Sequence, residues 1–286
     1  MEWWQALILG IVEGLTEYLP VSSTGHLLLA QRLMGIPSDE ASDAFAICIQ
    51  VGAILAVLGL YRNRVWQMTR GVVGQDPAGL QLAIRIIAAF LPAAVVGLLL
   101  EKPIKQFLFG GEEFGLWPIV GAWFVGGVAI LAVILYRKSK AVVFRKPLGI
   151  DNLTIRSAVI IGFIQCIAMW PGVSRSLVTI VGGLLVGLGL PAAVEFSFLL
   201  GVVTLSAATA YDGLKHGQQM LEAYGPVSLI IGLVAAWISA VIAVKWMVSY
   251  LQRRGLAIFG FYRIALAIVV VALILAGVFS AAPPAP

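Results

Sequence analysis

Glu13 and Glu17 lie four residues apart, and Ser22, Ser23, Thr24 and His26 follow within the next nine, in a stretch that is otherwise apolar. On a helix the two carboxylates share one face. Like charges this close do not both ionise cheaply at low dielectric, so the pair either shares a proton or closes on a cation. A hard divalent ion, Mg²⁺ or Ca²⁺, suits Glu13 and Glu17 together with the phosphate oxygens of a substrate. Pro20 ends one helix, and the run Val21-Ser22-Ser23-Thr24 begins another. Hydroxyls at such a start cap free backbone donors. The same donors, with the helix dipole, form an anion site. His26 falls on the face of Ser22 and Ser23, placed to deprotonate a serine or a water or to protonate a leaving oxygen.

A second polar cluster repeats the device in the other half of the chain. Pro171-Gly172-Val173-Ser174 leads into Arg175, Ser176 and Thr179. Arg175 can hold a phosphate through two parallel hydrogen bonds, which lysine cannot. Ordinary roles compete with each assignment: Arg175 as a partner of Glu13 or Glu17, any one hydroxyl as a simple cap, His26 as a core residue. Ionisable groups at bilayer depth are costly, and their concentration in two clusters points to function. The remaining polar residues read as structural. Glu195 looks like a first-turn acid, His216 like a solvated residue of an outer loop, and Arg85, Lys245 and Arg263 like side chains that snorkel from span ends.

The elements that position these groups are membrane helices. The chain is 60% hydrophobic and 12% charged, with a mean hydropathy of +0.99, which excludes a soluble globule. Six spans are expected near 44–61, 82–100, 116–136, 194–211, 226–251 and 257–279. Two more apolar segments, 3–34 and 157–190, are broken by Pro20 and by Pro171-Gly172 and suit re-entrant helical hairpins, since irregular backbone at depth needs protein or water around it. The start, Met1-Glu-Trp-Trp, lacks the basic region of a signal peptide, and Trp3 and Trp4 read as interfacial anchors. Cys48 and Cys166 read as packed thiols, with no disulfide or zinc site.

The fold expected is therefore all-α and polytopic, with six spanning helices, two re-entrant hairpins and an inverted-topology repeat. Repeat 1 covers about 3–136, a basic linker 137–156, and repeat 2 about 157–279. An ungapped match of residues 10–24 with 162–176 gives three identities, Gly10 with Gly162, Val21 with Val173 and Ser22 with Ser174. An odd number of crossings per half inverts the second half. With the first span ending in the cytoplasm at Arg62, the cytoplasmic loops hold eleven basic residues: Arg62, Arg64, Arg70, Arg137, Lys138, Lys140, Arg145, Lys146, Arg156, Arg253 and Arg254. The other side holds four, Arg32, Lys102, Lys105 and Lys215. That asymmetry obeys the positive-inside rule. It also accounts for the net charge of +5 through topology and anionic lipid, without nucleic acid.

The segments Glu13-Gly-Leu-Thr-Glu-Tyr-Leu-Pro-Val-Ser-Ser-Thr-Gly-His26 and Pro171-Gly-Val-Ser-Arg-Ser-Leu-Val-Thr179 closely resemble the bacterial undecaprenyl-diphosphate phosphatases of the bacitracin-resistance type. Glu195-Phe-Ser-Phe-Leu-Leu200 resembles that family too, and the likeness runs over roughly 5–279. The resemblance implies hydrolysis of a polyprenyl diphosphate lipid to its monophosphate in the bacterial plasma (inner) membrane, recycling the carrier for peptidoglycan synthesis. It implies a site facing the periplasm and a divalent-cation requirement. Glu13 and Glu17 match the family's paired acids, Ser23 and His26 its serine and histidine, and Arg175 its phosphate-binding arginine, with Ser174, Ser176 and Thr179 lining the same loop. Leu177-Val178 stands where the family often has Gly-Ala, a change behind Arg175 that leaves every polar group in place.

Two nucleophiles remain open: Ser23 activated by His26, or a water placed by Glu17 and His26. Ser22 and Thr24 join Ser174, Ser176 and Thr179 as phosphate contacts. A flippase or secondary transporter of polyprenyl phosphate is the rival from another class, because broken helices meeting in an inverted repeat are typical of transporters. An intramembrane serine protease fits less well, since an arginine and paired glutamates suit a phosphate better than a peptide bond. The 31 glycines permit close helix contacts, a homodimer face among them, although no single face stands out.

Overall fold

The computed structural model describes residues 1–37, 39–104, 115–139 and 147–278, with only the backbone described for 40, 101–104, 216 and 218–220. Lys105, Lys140, Arg145 and Lys146, counted in the charge asymmetry, lie outside the described residues. The helices are α1 (Trp3–Thr16), α2 (Ser23–Leu33), α3 (Glu40–Leu60), α4 (Arg62–Val72), α5 (Pro77–Ile104), α6 (Trp117–Ser139), α7 (Ile155–Gln165), α8 (Arg175–Leu185), α9 (Leu190–Arg254) and α10 (Ala257–Leu275). Among the described residues there is no strand, only an isolated bridge between Leu148 and Leu188. Gly225, with φ 69° and ψ 162°, breaks α9 into two limbs just before Pro226.

Among the described residues six segments are long and apolar enough to cross a membrane: Ala41–Leu60, Pro77–Leu100, Trp117–Ser139, Leu190–Lys215, Leu221–Arg254 and Ala257–Leu275. Their outward faces are apolar. On α5, for example, Ile84, Ile87, Leu91, Val95 and Leu98 form one exposed stripe at helical spacing. Polar side chains such as Glu13, Glu17, Gln165, Ser197 and Arg263 are buried instead. This is a multi-pass membrane protein, apolar toward lipid and polar within.

The two broken segments fold as pairs of short helices. An 11-residue helix such as α2 or α8 is about 16 Å long, about half the ~30 Å hydrocarbon thickness. Their bounds agree in register, displaced by 152 residues: α1 and α7 begin at Trp3 and Ile155, while α2 and α8 run Ser23–Leu33 and Arg175–Leu185. The same displacement pairs Ser22 with Ser174. Among the described residues these two are the only non-glycine residues with positive φ, 77° and 79°. Each caps the helix after its break, Ser22 accepting from the Gly25 N–H at 3.4 Å and Ser174 from the Leu177 N–H at 3.3 Å. A non-glycine residue held there costs about 1–3 kcal/mol, a strain that clusters at functional sites.

Glycines let the pairs press against the long helices. A Cβ on Gly10 of α1 would lie 2.9 Å from the Ala235 Cβ in the second limb of α9. On Gly162 of α7 it would lie 3.0 Å from Pro92 of α5. Helices α6 and α10 meet at Gly127 and Gly260, where a Cβ on Gly127 would lie 2.7 Å from the Gly260 carbonyl oxygen. Small residues at such crossings replace the hydrophobic drive that lipid removes.

Four expectations change. The stretch after Arg62 is helical: Val65 and Met68 of α4 pack on the core, and the Arg64 Nε–H donates to Glu195 Oε1 at 2.7 Å while NH1 reaches Asp151 at 3.2 Å. Glu195 therefore lies a turn further into α9 than a first-turn acid and serves as an ion-pair partner. The region of His216 is helical, because α9 does not break until Gly225. Arg263 is fully buried within α10 and does not snorkel.

Candidate active site

The end of α1, the start of α2 and the start of α8 converge on one carboxylate. Glu17 follows α1, where its N–H still bonds to the Glu13 carbonyl at 2.9 Å. The break at Pro20 turns the chain so that Ser23, six residues on, donates its hydroxyl to Glu17 Oε2 at 2.6 Å. From the other broken segment, Arg175 donates through NH2 to Glu17 Oε1 at 2.8 Å. Both side chains of this ion pair are nearly sealed, 10% and 5% exposed. The two polar clusters read from the sequence meet at this point.

Arg175 is held from several sides, while its buried Nε–H has no hydrogen-bond partner. Its NH1 donates to the Ser197 carbonyl at 3.1 Å, its guanidinium lies 5.2 Å from the centroid of the Tyr18 ring, and Gly201 of α9 leaves room for it. A Cβ at Gly201 would lie 2.8 Å from the Arg175 NH2. Ser176 donates to the Leu19 carbonyl at 2.8 Å and lies 3.0 Å from the Ser174 hydroxyl, so it ties the first break to the second. Thr179 is buried behind Arg175, with its hydroxyl 2.6 Å from that of Ser197 and 2.9 Å from the Arg175 carbonyl. Thr24 is exposed, while Ser174, Arg175 and His26 are partly so.

His26 takes a different set of partners from those its spacing suggests. Its Nδ1 lies 2.7 Å from the Ser22 carbonyl, so it carries the proton and donates it there. Its Nε2 then accepts from the Tyr262 hydroxyl at 2.7 Å, with the two rings stacked at 5.8 Å. Neither nitrogen meets a serine hydroxyl. Tyr262 and Arg263 of α10 and Gln50 of α3 are site neighbours that sequence reasoning missed. Gln50 reaches Glu17 Oε2 from its amide at 3.5 Å. The signal that would have found Tyr262 and Arg263 is the dipeptide itself, two polar side chains in an otherwise apolar helix.

Glu13 is 1% exposed, and its Oε1 has no hydrogen-bond partner. A buried carboxylate oxygen left open one turn from a second carboxylate fits a hard cation. Among the described residues no three His, Cys, Asp or Glu side chains cluster, so Glu13 and Glu17 alone would not complete the shell of such an ion.

Six spans enclosing an acid, arginine and serine cluster where two broken segments meet define a class: multi-pass membrane proteins with a polar site inside the helical bundle. The particular family follows from comparison. The model of the family described as bacitracin resistance protein BacA matches residues 6–269, and the chain belongs to that family. It is similar to the undecaprenyl-diphosphatase of Sorangium cellulosum (strain So ce56), 46% identical over 271 residues that cover 93% of this chain and 84% of the relative. The undecaprenyl-diphosphatase of Aquifex aeolicus (strain VF5) is 42% identical over 272 residues, 95% of this chain and 98% of its own. That of Cereibacter sphaeroides (strain ATCC 17029 / ATH 2.4.9) is 43% identical over 272 residues, 95% of this chain and 97% of its own.

Proposed function

We propose that this chain hydrolyses undecaprenyl diphosphate to undecaprenyl phosphate and inorganic phosphate, recycling a lipid carrier for peptidoglycan synthesis and so conferring bacitracin resistance. Family membership and the relatives' names support the activity. The observation that carries the site is Glu17 bridging Ser23 of one break to Arg175 of the other. The register of the two broken segments supports an inverted repeat with two re-entrant hairpins. The charge asymmetry supports a site opening to the outside of the plasma (inner) membrane.

Ser23 is the nucleophile and Glu17 its base. Ser23 Oγ attacks the terminal phosphorus as its proton passes to Glu17 Oε2, and the bond from that phosphorus to the bridging oxygen breaks. Undecaprenyl phosphate leaves. Water then attacks the phosphoserine, restoring Ser23 and releasing phosphate. The free N–H groups at the starts of α2 and α8, with Thr24, Ser174 and Arg175, bind the phosphate oxygens whose charge grows in transfer. Ser22 and Ser174 hold the helix starts, while Ser176 and Thr179 hold Arg175 and its loop. Glu13, through its open Oε1, and Glu17 are the residues that would hold Mg²⁺ or Ca²⁺, which when bound would supply further neutralisation of the diphosphate charge. His26, oriented by Ser22 and Tyr262, presents its ring beside this cradle.

Purified protein in detergent is expected to release phosphate from undecaprenyl diphosphate with Mg²⁺ or Ca²⁺ and to stop with chelator. Trapped phosphoserine at Ser23 is expected in the same assay. No release by folded protein under any cation would sink the hydrolase and make the polyprenyl-phosphate flippase the leading reading. Tyr262→Phe is expected to lower turnover about fivefold, the worth of one hydrogen bond of about 1 kcal/mol. Unchanged steady-state kinetics would remove Tyr262 and the His26 orientation from the account.

A further inference from the structure

Arg263 is completely buried within α10, and its hydrogen-bond partners among the described residues are all carbonyl oxygens. NH1 donates to Pro20 at 3.3 Å, and NH2 to Gly172 at 2.9 Å and to Ala122 at 2.8 Å. Nε donates to Trp123 at 3.4 Å. Pro20 and Gly172 occupy the same place in the two breaks under the 152-residue displacement, and each stands two residues before its capping serine. One guanidinium therefore grips equivalent carbonyls of both broken segments and anchors them to α6.

The neighbourhood is shaped to admit it. A Cβ on Gly126 of α6 would lie 2.9 Å from Arg263 Cζ. A buried charge without an ionic partner is an expensive tie, and apolar side chains of similar volume usually serve stability as well or better. Arg175, by contrast, has its charge offset by Glu17. What a guanidinium offers is a rigid planar fork, whose nitrogens fix several acceptors relative to one another. The acceptors here are the two breaks, and the breaks aim the two helix starts.

We propose that Arg263 is a positioning residue that sets the separation and aim of the α2 and α8 N-termini, and that its buried positive charge is balanced by the phosphate bound between them. This rests on the diphosphatase reading. A lysine at 263 keeps the charge but is a compact ammonium that cannot hold both carbonyls in the same geometry. A glutamine keeps a donor and loses the charge.

The test compares Arg263→Lys and Arg263→Gln with the unaltered protein in detergent, measuring thermal melting, kcat, KM and inhibition by inorganic phosphate. Misaligned helix starts are expected to lower kcat about a hundredfold in both variants, well below their melting temperatures. Inhibition by inorganic phosphate is expected to weaken about tenfold in Arg263→Gln and less in Arg263→Lys, which retains the cation near the anion site. Lowered melting with kcat and phosphate inhibition unchanged would overturn the proposal and leave a structural tie. If neither variant folds, Gly126→Ala decides by pushing the guanidinium aside. Its kcat is expected to fall while Gly121→Ala on the same helix, where a Cβ meets nothing within 4 Å, stays unchanged; equal activity in the two alanine variants would overturn the proposal. An unaltered protein that releases no phosphate would instead remove the diphosphatase reading itself.

Discussion

Glu17→Gln is expected to cut phosphate release by about a thousandfold, within the ~10²–10⁴ range for a positioned acid–base group. It is also expected to lower the melting temperature. The carboxylate accepts from Ser23 on one oxygen and from Arg175 on the other. A glutamine amide can accept from one of them, but its NH₂ then faces the other donor. Ser23 loses the group that takes its proton. Arg175 loses its counter-charge in a nearly sealed position, and breaking a buried pair from one side typically costs about 3–5 kcal/mol. Glu13→Gln is the informative companion. Glu13 makes no hydrogen bond to Ser23 or Arg175, so its loss is expected to act chiefly on the cation requirement. Phosphate release and thermal melting of both variants check this. Near-normal turnover in Glu17→Gln would move the chemistry away from the meeting point of the two segments.

The breaks were legible because proline and glycine impose local geometry whatever surrounds them. Pro20 and Pro171-Gly172 end helices in any context, and a serine two or three residues on is a natural cap. Ser22 and Ser174 could be paired from an ungapped match for the same reason. The contact between Glu17 and Ser23 was less accessible. Six residues apart across a break, they fit no helical spacing, and only the turn brings them to 2.6 Å. His26 was legible as a polar residue beside the first break, but its direction was not. The Ser22 carbonyl and the two serine hydroxyls lie on the same helical face, and the carbonyl takes Nδ1.

Arg263 failed for a related reason. A charged residue six positions into an apolar helix looks like a snorkelling side chain unless the facing surface is known to be backbone carbonyls. That surface is built by the two breaks and by α6, far away in sequence. Helix α4 was missed because its arginines lower the hydropathy that marks spans, although Val65 and Met68 keep a helical spacing toward the core.

Arg175→Lys is expected to lower kcat/KM for undecaprenyl diphosphate by about 10²–10³-fold, the scale seen when one preorganised donor to developing charge is removed. The charge survives, and the geometry does not. Arg175 spreads its donors between Glu17 at 2.8 Å and the Ser197 carbonyl at 3.1 Å, with its plane over Tyr18 and against Gly201. The space left by Gly201 matches a flat guanidinium, and an ammonium there keeps a partner on one side and a void on the other. In the resting site Arg175 neutralises Glu17. On the proposed mechanism, transfer of the Ser23 proton to Glu17 would weaken that claim on the arginine and free its donors for the transferring phosphate. A single guanidinium would then serve the carboxylate before transfer and the phosphate during it, which a point charge cannot do at both distances. The measurement is kcat and KM separately. The loss is expected chiefly in kcat, with KM rising less, because the resting site spends Arg175 on Glu17. A rise in KM alone would show that Arg175 only binds the diphosphate and takes no part in its transfer.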